Sequence, residues 1–73
     1  MSSILTQVMI AERYGLRLSM EQLADLLGVA KGTLYNQVSA GSCPIRTYVD
    51  QGKRWADYRD AAAHFDKLRE AAQ

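Results

Sequence analysis

The chain has one cysteine, one histidine and one proline. A single cysteine, Cys43, excludes an internal disulfide. Cys43 and His64 are too few for a zinc site of Cys/His spacing, so no metal and no cofactor is expected. No apolar run reaches the roughly 18 residues that a membrane span requires. The N-terminus has no basic segment followed by a long apolar one, so no signal peptide is expected either. A lone unpaired cysteine fits a reduced, cytoplasmic setting. Internal repeats and low-complexity segments are also missing. The 73 residues allow one small domain and exclude a two-domain enzyme. A chain of this size buries only about 60% of the surface its unfolded form exposes. With no disulfide or metal to brace it, association with another copy is the support left open.

An excess of one charge is nearly lacking as well. Nine Lys and Arg oppose eight Asp and Glu, for a formal net charge of +1. That total at first counts against a nucleic-acid partner, since phosphate binding needs clustered positive charge. The distribution changes the picture. Residues 1–30 sum to −1, residues 31–59 to +3, and residues 60–73 to −1. The excess comes from Lys31, Arg46, Lys53, Arg54 and Arg59 against Asp50 and Asp57. It is a patch in the middle of the chain.

What is present reads as four helices and a hairpin. Residues 3–14 have helical spacing, with Gly15 as a stop. Ile4, Leu5, Val8 and Ala11 lie on one side, and Ile10 and Tyr14 on roughly the opposite side. One side is expected to dock on the domain. Ile10 and Tyr14 are assigned to partner contact, by self-association, the alternative being that Tyr14 folds back over Leu16 and Ile10 is simply exposed. Residues 16–18 alternate and suit a very short strand. Ser19 and Gln22 form an S-x-x-Q capping box that opens a second helix, with Met20, Leu23, Ala24 and Leu27 as its inner stripe. Gly28 ends that helix, and Val29 is expected to anchor the turn. A third helix covers about 31–40, with Leu34 and Val38 inward and Gly41 at its close. Ser42, Cys43 and Pro44 read as a loop.

Residues 45–49 and 53–57 then read as two strands around a Gln51-Gly52 turn. Pairing Asp50 with Lys53 sets Val49 opposite Arg54, Tyr48 opposite Trp55 and Thr47 opposite Ala56. The same register sets Arg46 opposite Asp57 and Ile45 opposite Tyr58. Tyr48 and Trp55 are expected to pack on each other or beneath the last helix. That helix covers about 58–71, capped by Asp57, with Asp60 in its first turn and Tyr58, Ala61, Ala62, Phe65 and Leu68 as its stripe.

Residues 20–38 have the spacing of a helix-turn-helix. Ala24 permits close approach, Gly28 makes the turn, and Val29, Leu34 and Val38 seal the inner angle. A generic helical hairpin is the alternative. From about residue 18 to residue 68 the chain resembles the excisionase-like winged-helix domains of phages, plasmids and integrative elements, which group with MerR-type and AlpA-like regulators. The residues that carry the resemblance are Leu18-Ser19-Met20-Glu21-Gln22-Leu23-Ala24, Leu27-Gly28-Val29 and Gly32-Thr33-Leu34-Tyr35. Pro44, Gly52-Lys53-Arg54 and Tyr58-Arg59-Asp60 extend it. Ala30 departs from the pattern, standing where many relatives carry a Ser or Thr cap. The tip between the strands is also less basic than in many relatives.

The fold expected is therefore mainly α with a small β-hairpin: a winged helix-turn-helix over residues 16–73, with an added N-terminal helix over residues 1–15. The resemblance implies double-stranded DNA as partner, with the third helix in the major groove and the hairpin, or wing, on an adjacent groove or backbone. The residues fit that reading. Gly32, Thr33, Asn36 and Ser39 face outward, flanked by Tyr35 and Gln37. Asn and Gln can bond adenine bidentately, and Thr can meet a base edge or a thymine methyl. Lys31 at the helix start, with Arg46, Gln51, Lys53 and Arg54 of the wing, can hold phosphates. Arg46 and Lys53 can alternatively satisfy Asp57 and Asp50.

No residue pattern suggests catalysis. Cys43 lacks a neighbouring base and a pocket, His64 sits among alanines, and capping accounts for Asp57 and Asp60. The expected role is an excisionase that binds repeats and bends DNA for a recombinase or integrase of a mobile element. A small transcriptional regulator using the same contacts, and a protein-interaction module built on the N-terminal helix, are the alternatives. A bacterial cytoplasmic, nucleoid-associated location follows from the first.

Overall fold

Caps and glycines divide this chain into its elements. The structure, a computed structural model, describes residues 4–72. Residue 3 of the expected first helix lies outside them. In chain order the elements are α1 (Ile4–Tyr14), β1 (Arg17–Ser19), α2 (Met20–Leu27), α3 (Lys31–Ala40), β2 (Thr47–Asp50), β3 (Lys53–Asp57) and α4 (Tyr58–Ala71). The fold is thus mainly helical, with a small antiparallel sheet ordered β1-β3-β2.

The expected capping box forms. The Gln22 backbone N–H donates to Ser19 Oγ at 3.2 Å, and the Ser19 N–H donates to Gln22 Oε1 at 2.9 Å. Two otherwise orphaned donors are satisfied by each other's side chains. At the far end of α2, Gly28 takes the left-handed conformation at φ 72°. Its N–H reaches Asp25 O at 3.2 Å, and the Val29 N–H reaches Ala24 O at 3.0 Å, which is a Schellman closure. Val29 was expected to seal the inner angle. The residue is instead 37% exposed and is not among those packed on the core. By contrast α3 opens on Ala30 with no side-chain cap bond. Asp57 caps α4, accepting from the Arg59 N–H at 2.8 Å.

The hairpin has the expected register from turn to middle. Asp50 pairs with Lys53, Val49 with Arg54, Tyr48 with Trp55 and Thr47 with Ala56. Gln51 at φ 52° and Gly52 at φ 78° both have positive φ, as a type I′ turn demands. The ladder stops at Thr47, so the expected Arg46–Asp57 and Ile45–Tyr58 pairs do not form. Ile45 turns into the core and takes the chain off the ladder, while Asp57 pairs on its other edge with Arg17 of β1 and caps α4. β1 adds a third strand along β3, with Leu18 opposite Ala56.

The core is apolar throughout. Ile10, Leu18, Met20, Leu23, Ala24, Leu34, Ile45, Ala56, Ala61 and Ala62 are buried, and no polar residue among the described ones is. Leu18, Leu23 and Leu34 are the largest fully buried side chains, each worth roughly 1.5–3 kcal/mol. Ala56, Ala61 and Ala62 are small enough to let α4 close on the sheet.

α1 docks by the side opposite to the one expected. Ile10 belongs to the core and Tyr14 packs against it, with its hydroxyl donating to Asp25 Oδ2 at 2.9 Å. The assignment of Ile10 and Tyr14 to partner contact is therefore corrected. The outward side carries Ile4, Leu5, Val8 and Met9, which are 78%, 68%, 45% and 62% exposed. Both sides are apolar, so side-chain character did not separate them. What separates them is the core itself, which takes Ile10 with Leu26 and Phe65 packed alongside, and a carboxylate placed to receive the Tyr14 hydroxyl.

Candidate nucleic-acid interface

The first turn of α3 and the tip of the hairpin face each other across a groove of about 520 Å³. Met20, Glu21, Lys31 and Tyr35 form one wall, and Val49, Gly52, Lys53 and Arg54 form the other. The sheet produces this arrangement. Leu18 and Ala56 are buried on its inner face. Arg54 and Val49 alternate onto that face beyond the covered part, where they overhang α3.

Along α3, Lys31, Gly32, Thr33, Tyr35, Asn36 and Ser39 are exposed, and Gln37 is half-buried. Leu34 is fully buried and Val38 packs on the core, so the outward order of the other residues follows from helical spacing. Open polar side chains thus extend from the groove along α3.

The cations differ in how they are compensated. Lys31 Nζ donates to Glu21 Oε1 at 2.7 Å and stands 5.8 Å from the Tyr35 ring centre. The hydrogen bond first, then the opposite charge, holds the Glu21 carboxyl below its ordinary range, and the same bond raises the Lys31 ammonium. Arg54 Nη1 donates to Thr47 Oγ1 at 2.9 Å. No carboxylate among the described residues lies within ion-pair distance of Arg46, Lys53 or Arg54.

The acids that were candidates to neutralise Arg46 and Lys53 are taken elsewhere. Asp57 Oδ1 lies 3.0 Å from Arg59 Nε. Asp50 Oδ2 lies 2.7 Å from Arg17 Nη1. Lys53 therefore faces the groove uncompensated. Arg46 does not join it. It precedes β2 and lines a separate hollow with Pro44, Asp60, His64 and Lys67. Gln51 is exposed at the turn but does not line the groove.

Two residues of this region were not singled out from sequence as functional. Glu21 is ten positions from Lys31, and only the α2–α3 angle brings them together. Arg17 lies on the opposite face of the sheet, its guanidinium 3.9 Å from the Trp55 ring centre and bonded to Asp50. Trp55 Nε1 donates to Asp50 O at 3.3 Å. Arg17, not α4, thus covers the indole and ties β1 to the hairpin across β3. Alternation along β1 would have indicated this contact had the β1–β3 pairing been anticipated.

Cys43 packs against the core, and His64 makes an edge contact with Phe65 at 5.5 Å between ring centres. Among the described residues no group of three or more His, Cys, Asp or Glu could hold a metal, and no helix is long and apolar enough to cross a membrane. Comparison of the chain with protein-family models, with curated proteins and with solved structures finds no match.

Proposed function

We propose that this protein binds double-stranded DNA as a winged helix-turn-helix, α3 entering the major groove and the β2–β3 hairpin lying on the adjacent backbone. One observation carries the reading: Lys31, Lys53 and Arg54 converge on a single groove from two elements, beside a row of exposed polar residues on α3. Cations placed this way fix a protein on phosphates, while Thr33, Asn36 and Gln37 can read base edges. The finer role, an excisionase that bends DNA beside a recombinase, rests on the resemblance of residues 18–68, as does a cytoplasmic, nucleoid-associated location. A small transcriptional regulator would use the same contacts.

The experiment is binding to duplex DNA from the flanks of the protein's own gene, measured across salt concentration. Binding should weaken steeply with salt. Lys53→Ala and Arg54→Ala should each lower the salt slope by about 1 and weaken all sequences alike. Arg46→Ala should change it least. Undetectable binding at low salt overturns the reading.

The exposed face of α1 favours a second property. Copies meeting in solution or along DNA would do so through Ile4, Leu5, Val8 and Met9, exposed apolar residues at helical spacing on α1. Light scattering of wild type against Leu5→Asp tests it, with loss of any concentration-dependent mass as the expected result.

A further inference from the structure

We propose that Glu21 is an internal stand-in for a DNA phosphate: in the unbound protein its carboxylate occupies Lys31, and a backbone phosphate entering the groove displaces it. The inference rests on the DNA-binding reading and adds to it what the groove must release.

The geometry is that of an exchangeable pair. Glu21 Oε1 and Lys31 Nζ are 2.7 Å apart, with side chains 73% and 50% exposed. Either can swing away without disturbing a buried residue. Carboxylate and phosphate oxygens are equivalent acceptors for an ammonium. An exposed ion pair is weak in water, so a polyanion can compete for its cation. The opposite wall favours the competitor. Lys53 and Arg54 line the same groove with no carboxylate among the described residues at ion-pair distance. A phosphate arriving there meets two uncompensated cations and one that is already engaged.

Capping does not account for Glu21. The start of α2 is satisfied by Ser19 and Gln22, and Glu21 has no part in that box. Its carboxylate reaches across to α3 instead. A phosphate can take Lys31 only by breaking that pair, a cost that any duplex meets. Glu21 should therefore hold down affinity for every duplex, whatever its sequence.

A double-mutant cycle with Glu21→Gln and Lys31→Gln tests this, using fluorescence anisotropy on a random-sequence duplex of about 20 base pairs at about 50 mM salt. Circular dichroism confirms that each variant is folded. Glu21→Gln should tighten binding about 2- to 5-fold, the range of one exposed charge contact. In the Lys31→Gln background the gain should fall to within roughly 1.5-fold of none. An equal gain in both backgrounds means simple repulsion from DNA and overturns the exchange. A loss of affinity in Glu21→Gln means that Glu21 contacts DNA directly, and also overturns it. Binding by wild type with no change in Glu21→Gln overturns the exchange alone. Absence of binding by wild type and all variants overturns the DNA-binding reading and the exchange with it.

Discussion

The two helices of the central hairpin, α2 and α3, begin in opposite ways. α2 starts inside a closed set of hydrogen bonds between Ser19 and Gln22. α3 starts on Ala30, whose side chain offers nothing to the free backbone donors of the first turn. Their ends are alike, since Gly28 and Gly41 both close in the left-handed conformation. Their anchors are alike too, a fully buried Leu23 in one and Leu34 in the other. The difference is therefore confined to the N-termini. Both first turns border the groove, α2 through Met20 and Glu21 and α3 through Lys31. Of the two, only the α2 turn is closed by side-chain hydrogen bonds, so the groove is bordered by one braced helix start and one open one.

The strongest way to break this comparison is to attack the shared feature. Leu23→Ala and Leu34→Ala should each destabilise by about 2–5 kcal/mol in urea unfolding. A smaller loss for Leu34→Ala than for Leu23→Ala would show that α3 is held less firmly by the core than α2. A smaller effect sharpens the contrast at the N-termini. Ser19→Ala should cost about 1 kcal/mol, and Ala30→Ser should gain up to about 1 kcal/mol, by the same measurement. An unchanged Ala30→Ser variant would mean that the start of α3 is not limiting.

The smallest effect separates two kinds of cap by pH. Ser19 does not titrate near neutrality, whereas the Asp57 cap of α4 is a carboxylate whose pKa is held down, first by the Arg59 side chain and then by the Arg59 backbone N–H, against the opposing effect of burial. A depressed folded pKa means that the contribution is present above the range of an unfolded-chain aspartate. It is lost as pH falls through the lower, folded value. Asp57→Asn keeps a capping side chain. It should cost less than about 1 kcal/mol at neutral pH, with the difference vanishing in acid. A difference that persists in acid would assign the loss to packing rather than to charge.

What was legible in the sequence has a physical pattern. The Ser19–Gln22 box, the glycine closures and the Gln51-Gly52 turn depend on residues a few positions apart, and each is as expected. The turn then dictates the register as far as Thr47. Beyond Thr47, distant partners decide. Arg46 and Ile45 leave the ladder where the core takes Ile45. α1 offered two apolar sides, and only its distant partners, the core for Ile10 and Asp25 for Tyr14, select between them. The candidate site follows the same division. The exposed row on α3 was visible from helical spacing, with Leu34 and Val38 turned in. Which cation is engaged was not, because Glu21 meets Lys31, and Arg17 meets Asp50, only across element boundaries.

The contact between Arg17 and Trp55 has a practical consequence. Trp55 is the only tryptophan in the chain, and it lies on the strand that leads out of the hairpin tip. A guanidinium covers its ring, and its indole N–H is held by the carbonyl of Asp50, next to the turn. The molecule thus carries a built-in optical reporter of hairpin position. Any movement that lifts Arg17 or reshapes the turn changes the surroundings of that indole, and its emission records the event with no label attached.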